Sequence, residues 1–181
     1  MPHVIEPAAS GRAKCRGCAR PIAKGELRFG ERLPNPFSDS TEMTLWFHLQ
    51  CAAYKRPEPL LEALQEGREV PDRTAFEAEA RRGVEHRRLP RLDGAERAPS
   101  GRAKCRACHE TIAKAAWRVR LVFFEDGMFS PSGFIHPGCI DGYVGVGDVI
   151  ARVAHFSKGL EADDRAELAT AFTAPPGDAR D

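Results

Sequence analysis

The sequence predicts an α+β fold: two small modules, each a short antiparallel sheet with flanking helices. Three observations lead there. Six cysteines fall into two matching sets, each completed by a histidine. The string Ser-Gly-Arg-Ala-Lys-Cys-Arg at residues 10–16 recurs at 100–106. After each of these strings, alternating segments give way to helical ones. At 181 residues the chain has room for one ordinary domain or two small ones.

The elements follow in chain order. Segments 26–33 and 44–48 alternate as strands, joined by a loop over 34–43. Helices are expected over 49–55 and 59–66. Asp72, after Pro71, reads as the N-cap of a helix over 73–85, which runs into a linker ending near Pro99. In the second module 116–124 and 133–136 repeat the strands, and 139–143 repeats the first helix. A last helix is expected over 162–172, with Leu168, Ala171 and Phe172 toward the core. The modules thus span 1–70 and 95–175, with a helical linker over 71–94 and a tail over 176–181.

The cysteines carry the chemistry. Cys15-Arg-Gly-Cys18 and Cys105-Arg-Ala-Cys108 are CxxC pairs, and His48-Leu-Gln-Cys51 and His136-Pro-Gly-Cys139 are HxxC pairs. A CxxC places two thiolates on one tight turn, and an HxxC at a helix start does the same from the other side. Together they close a tetrahedral Cys3His shell suited to zinc. Two zinc ions per chain are therefore expected: one on Cys15, Cys18, His48 and Cys51, the other on Cys105, Cys108, His136 and Cys139. Both shells are closed, so the metals are structural. His109 adjoins Cys108 and is a minor competitor; His3, His86 and His155 lack such partners. A module of this size commonly needs a bound metal to supplement a small core.

Charge adds a second layer. The formal net charge is only +1, but residues 1–60 carry +3, 61–120 carry +4 and 121–181 carry −6. A single-faced polymer binder would not need that split; a modular protein with a basic front and an acidic end would. Arginine dominates the basic residues and offers planar bidentate contacts, although heavy Arg and Ala usage is also what a GC-rich bacterial genome produces. No apolar run approaches the ~18 residues of a membrane span, and residues 1–10 lack the basic-then-apolar pattern of a secretory signal. A reducing compartment is expected, which favours metal over disulfides.

At this point the residues resemble a known family. The Ser-Gly-Arg-Ala-Lys-Cys-Arg-x-Cys start is similar to the zinc finger of the poly(ADP-ribose) polymerase type. So are Leu27-Arg28 and Trp117-Arg118, the aromatics Trp46 and Phe134 two residues before the ligand histidines, and the turn and helix around 159–164. The long gap from CxxC to HxxC sets it apart from short zinc knuckles. The resemblance covers nearly the whole chain as two copies, without the family's transferase, WGR-type or automodification regions.

The resemblance implies a non-enzymatic, zinc-dependent protein that binds DNA nicks, gaps and ends independently of sequence. It implies phosphate contacts from Arg12, Lys14, Arg102 and Lys104, with Arg28 and Arg118 as second candidates. It implies stacking on exposed bases by Phe37 and Met43 in the first module and Met128 and Phe129 in the second. The bland alternatives are that Arg12 and Arg102 pair with surface carboxylates and that Phe37 packs under its loop. Trp46, Trp117, Phe134 and Phe156 read as core. A monomer without membrane contact is expected, cytoplasmic at the nucleoid in a bacterium or nuclear in a eukaryote, with a repair protein as a further partner. The competing functional reading is a zinc-scaffolded protein-interaction module. An enzyme is disfavoured because hydrolytic metal chemistry needs an open site, and Asp163, Asp164 and Glu167 sit where they serve a helix dipole.

Overall fold

The computed structural model describes residues 2–35, 42–66 and 68–174. It holds two three-stranded antiparallel sheets with flanking helices, in two units. The first unit comprises residues 1–90 together with the hairpin tip 124–129, and the second comprises 91–123 and 130–181.

In the first unit β1 (Val4–Pro7), β2 (Leu27–Pro34) and β3 (Glu42–His48) lie in the order β1-β2-β3. Ile5 pairs with Phe29 and Phe29 with Phe47, so one row of apolar side chains crosses all three strands. All three are buried, with the two rings 6.0 Å apart. The opposite face carries a second row, Glu6, Arg28 and His48, and a third, Val4, Gly30 and Trp46. The Trp46 indole lies across Gly30, where a Cβ would sit 2.6 Å from Trp46 Cζ3. Only glycine admits the ring there.

Helix α1 (Leu49–Lys55) starts directly after His48. Its buried Ala52 and Ala53 let it approach the sheet closely. Helix α2 (Pro57–Gln65) begins with proline in its first turn, where the missing N–H costs nothing. Helix α3 (Arg73–Glu85) packs on α1 and α2 and buries Ala80 and Gly83. Glu31 is almost fully buried on β2 and is neutralised by both arms of Arg56.

In the second unit β4 (Leu92–Arg97), β5 (Trp117–Glu125) and β6 (Met128–Ile135) repeat the order as β4-β5-β6. The β5–β6 connection is a two-residue turn, Asp126-Gly127, with φ of 49° and 77°. Both positive values match the favoured hairpin turn. Helix α4 (Ile140–Val144) follows the second HxxC, α5 (Ile150–Phe156) packs on β4, and α6 (Ala162–Thr173) packs on the 137–139 turn.

Several expectations change. Strands β1 and β4 were not anticipated, nor was α5. The segment expected as a linker over 71–94 contains α3, which belongs to the first unit, and the start of β4, which belongs to the second. Asp72 is left-handed, at φ 56°, and makes no side-chain cap bond. In α6, Leu168 is buried at 1% exposure, while Ala171 and Phe172 are only half-buried.

Candidate metal centres and nucleic-acid interface

Each CxxC forms a knuckle closed by backbone bonds. The Cys15 N–H donates to Arg20 O at 2.8 Å and the Ala19 N–H to Cys15 O at 2.8 Å. The second knuckle repeats this, with Cys105 N–H to Glu110 O at 2.9 Å and His109 N–H to Cys105 O at 3.0 Å. Ala19 and His109 occupy the same left-handed turn position, at φ 60° and 65°. His109 is thereby exposed on the knuckle and lies outside the donor cluster.

The HxxC arrives from the end of the third strand of each sheet. Register brings His48 opposite Arg28 and puts its N–H 3.4 Å from Cys15 Sγ. His136 N–H meets Cys105 Sγ at the same 3.4 Å. The His48 Nδ1 lies 3.4 Å from Cys18 Sγ and 3.8 Å from Cys51 Sγ. The His136 Nδ1 lies 3.3 Å from Cys108 Sγ and 3.9 Å from Cys139 Sγ. Zinc–sulfur and zinc–nitrogen bonds of ~2.3 and ~2.0 Å imply tetrahedral edges of roughly 3.5–3.8 Å. Within each set all four donor atoms lie within 4.8 Å of one another. The His48 Nε2 lies 3.2 Å from Pro21 O, which favours a proton on Nε2 and leaves the Nδ1 lone pair for the metal.

The donor electrostatics point the same way. Hydrogen bonds from the Cys15 and Cys51 thiols pull the Cys18 thiol far down, while Cys15 and Cys18 push the Cys51 thiol far up. Burial and the neighbouring Cys105 push Cys139 up to about 12. Three thiols this close cannot all ionise unless a dication neutralises them. The two clusters are zinc sites, and the protein binds two Zn2+ through the eight expected ligands.

The remaining expected site residues fall into three groups. Arg12, Lys14, Arg102 and Lys104 are exposed, and none has a carboxylate partner among the described residues. Lys14 and Lys104 are held at the knuckles by bridges to Pro21 and Thr111. Arg28 and Arg118 are different, being 8% and 7% exposed. Arg28 pairs with Glu6 at 2.7 Å and stacks 3.5 Å above the Trp46 ring. Arg118 pairs with Glu96 and stacks 3.5 Å above Phe134. Burial alone would raise the Glu96 carboxyl, but Arg118 and Arg120 together hold it below the usual carboxylate range.

The apolar candidates also divide. Phe37 lies outside the described residues. Met43 is half-buried, with its methyl against Gly127. Met128 is 58% exposed. Phe129 is held by neighbouring rings, 6.3 Å from Phe47 and 4.9 Å from Phe124, with the Lys55 ammonium 5.4 Å from its centroid. Glu6 and Glu96 were missed as functional positions. Their signal was present: the 90-residue offset of the repeat extends back to them.

Residues 6–86 match the family described as "Poly(ADP-ribose) polymerase and DNA-Ligase Zn-finger region". This segment matches the PARP-type zinc finger. The second module repeats the finger's CxxC and HxxC pairs, knuckle and strand order, with two fewer residues between the pairs. The chain is 28% identical over 197 residues to a "Poly [ADP-ribose] polymerase" of Sarcophaga peregrina, covering 95% of this chain and 20% of that protein. It is 27% identical over 195 residues to the "Polynucleotide 3'-phosphatase ZDP" of Arabidopsis thaliana, covering 93% of this chain and 28% of that one. A 51-residue stretch is 41% identical to "Poly [ADP-ribose] polymerase 1" of Caenorhabditis elegans, covering 28% of this chain and 5% of the relative. The chain thus spans a fifth to just over a quarter of the first two relatives. The PARP-type finger is a DNA-binding zinc module, and both fingers here carry its Cys3His set. Among the described residues no helix is long and apolar enough to cross a membrane.

Proposed function

We propose that the chain binds DNA at strand breaks, at nicks, gaps and ends, without reading sequence. The observation that carries this reading is a repeated one. Beside each zinc knuckle stand two exposed cations without acidic partners among the described residues: Arg12 with Lys14, and Arg102 with Lys104. Arg28 and Arg118, by contrast, are buried in ion pairs with Glu6 and Glu96, so these four are placed for an external anion. Phosphates fit them, and backbone contacts of this kind position a protein on DNA without specifying sequence.

Apolar surface supplies the preference for breaks. Phe37 is the first module's candidate for covering a base face exposed where the stack is interrupted, while Met43 lies in β3 against Gly127 and is set aside; Met128 adds an exposed apolar contact from the hairpin tip. Such stacking is worth about 1–3 kcal/mol per base and tolerates any sequence. An intact duplex hides those faces. Two fingers on one chain gain avidity when both engage the same DNA. The role is binding, with both zinc shells closed by protein ligands. The protein acts as a monomer at the nucleoid or in the nucleus and hands the break to a repair protein.

The test is a binding comparison on intact, nicked, gapped and blunt-ended duplexes at a fixed salt concentration. Broken substrates should bind more tightly. Arg12→Ala and Arg102→Ala should each lower the slope of log affinity against log salt by about 1. Equal affinity for intact and broken duplex would sink the proposal.

A further inference from the structure

Strand β3 is an edge strand: it pairs with β2 on one side only. At one end its outer edge is taken by the knuckle, where the Arg16 N–H donates to Trp46 O at 2.8 Å. Alternation along the strand turns the Thr44 amide and carbonyl to the same outer edge. Beyond that bond a groove of about 550 Å³ opens within the first unit. Lys14 and Arg16 line it from the knuckle, Thr44 and Trp46 from β3, and Met128 and Phe129 from the hairpin tip.

Three features define what fits. No lining residue carries a carboxylate, and Lys14 and Arg16 are exposed with no acidic partner among the described residues. The cations stand on a zinc-braced turn, so they are held in place before any ligand arrives. The opposite wall is apolar: Phe129 is fixed by Phe47 and Phe124, while Met128 is 58% exposed and free to settle on a flat surface. The occupant is therefore anionic at one end, planar and apolar at the other, and of small-ligand size. A base-paired duplex is too large for a groove of about 550 Å³ and keeps its base faces stacked.

We propose that this groove takes one unpaired nucleotide of a broken strand, its phosphate on Lys14 and Arg16 and its base against Trp46 and Met128. The inference rests on the break-binding reading and names the part of the broken DNA that the first finger holds. The edge groups of Thr44 supply a donor and an acceptor to any base, so the groove selects unpaired state rather than base identity.

The experiment uses the full zinc-loaded chain and three labelled duplexes: intact, closed-nick, and nicked with one extra unpaired 5′-phosphorylated nucleotide. The flapped nick should bind about 5- to 10-fold more tightly than the closed nick, the range that one added stacked base supports. Arg16→Ala should remove most of that advantage and leave closed-nick affinity within about twofold, and Met128→Ala should weaken the flapped nick more than the closed one. Circular dichroism and zinc content verify that each variant is folded. Equal affinity of the wild type for flapped and closed nicks overturns the inference while leaving the break reading intact, which the intact-versus-nicked arm tests separately. A second measurement works even without duplex binding. Thymidine 5′-monophosphate titrated into the protein should shift the Met128 methyl and Trp46 indole N–H signals in NMR spectra, and no shift at either overturns the assignment.

Discussion

Replacing Arg28 by alanine separates two roles that the sequence alone leaves mixed. As a phosphate contact, Arg28 would matter to DNA and little to stability. The structure places it between Glu6, at 2.7 Å, and the Trp46 ring, at 3.5 Å, with only 8% exposure. The cation–π contact contributes about 1–2 kcal/mol at such burial. The ion pair adds about 1 kcal/mol, discounted because the Glu6 side chain is 37% exposed. Against this, Arg28 Nε is buried without a hydrogen-bond partner, and its removal returns roughly 1 kcal/mol. The net loss is about 1–2 kcal/mol, or roughly 5–15 °C in the melting temperature of a module this small. The assay is thermal unfolding of zinc-loaded Arg28→Ala beside the wild type, with DNA affinity measured across a salt series. A lower melting temperature with an unchanged salt slope is expected. A slope reduced by about 1 with an unchanged melting temperature would refute the structural assignment and make Arg28 a phosphate contact. Arg118→Ala, with Glu96 and Phe134 in the equivalent places, should behave the same way.

Other consequences are as direct. Elemental analysis should return two zinc ions per chain, and a strong chelator should abolish the cooperative unfolding transition, because the ligand shell exists only in the fold. Glu96 has a folded pKa below its unfolded one, so its ion pairs stabilise the protein above the ordinary carboxylate pKa and are lost as pH falls through the lowered value. The melting-temperature gap between wild type and Glu96→Gln should therefore be widest near neutrality and narrow below about pH 4; a constant gap would contradict this. Gly30→Ala should cost about 1–3 kcal/mol in urea unfolding, because the added methyl collides with Trp46 and Val4.

The zinc ligands, the two-module plan and the α+β class were legible in the sequence, and each for a local reason. A CxxC or an HxxC holds two donors within one turn, so three-residue spacing already states the geometry. The repeat at 100–106 then doubled the inference without any knowledge of packing. The long strands β2 and β5 and the final helix α6 were likewise readable from their own periodicity. The short strands β1 and β4, of 4 and 6 residues, were not. A segment that short is a strand only when a neighbour pairs with it, and the residues it pairs with lie 20 or more positions away. For the same reason Glu6 and Glu96 went unnoticed as partners of Arg28 and Arg118, which antiparallel register sets directly opposite them. Nothing local distinguishes Arg12, left exposed at a knuckle, from Arg28, enclosed by a carboxylate and an indole. Nor does anything local distinguish Met128, exposed on the hairpin tip, from Phe129, held among rings. Chelation is written in adjacent residues, and the sequence determined it alone; which cation is free to meet an anion depends on strand register and on what packs against it, and only the tertiary structure decided that.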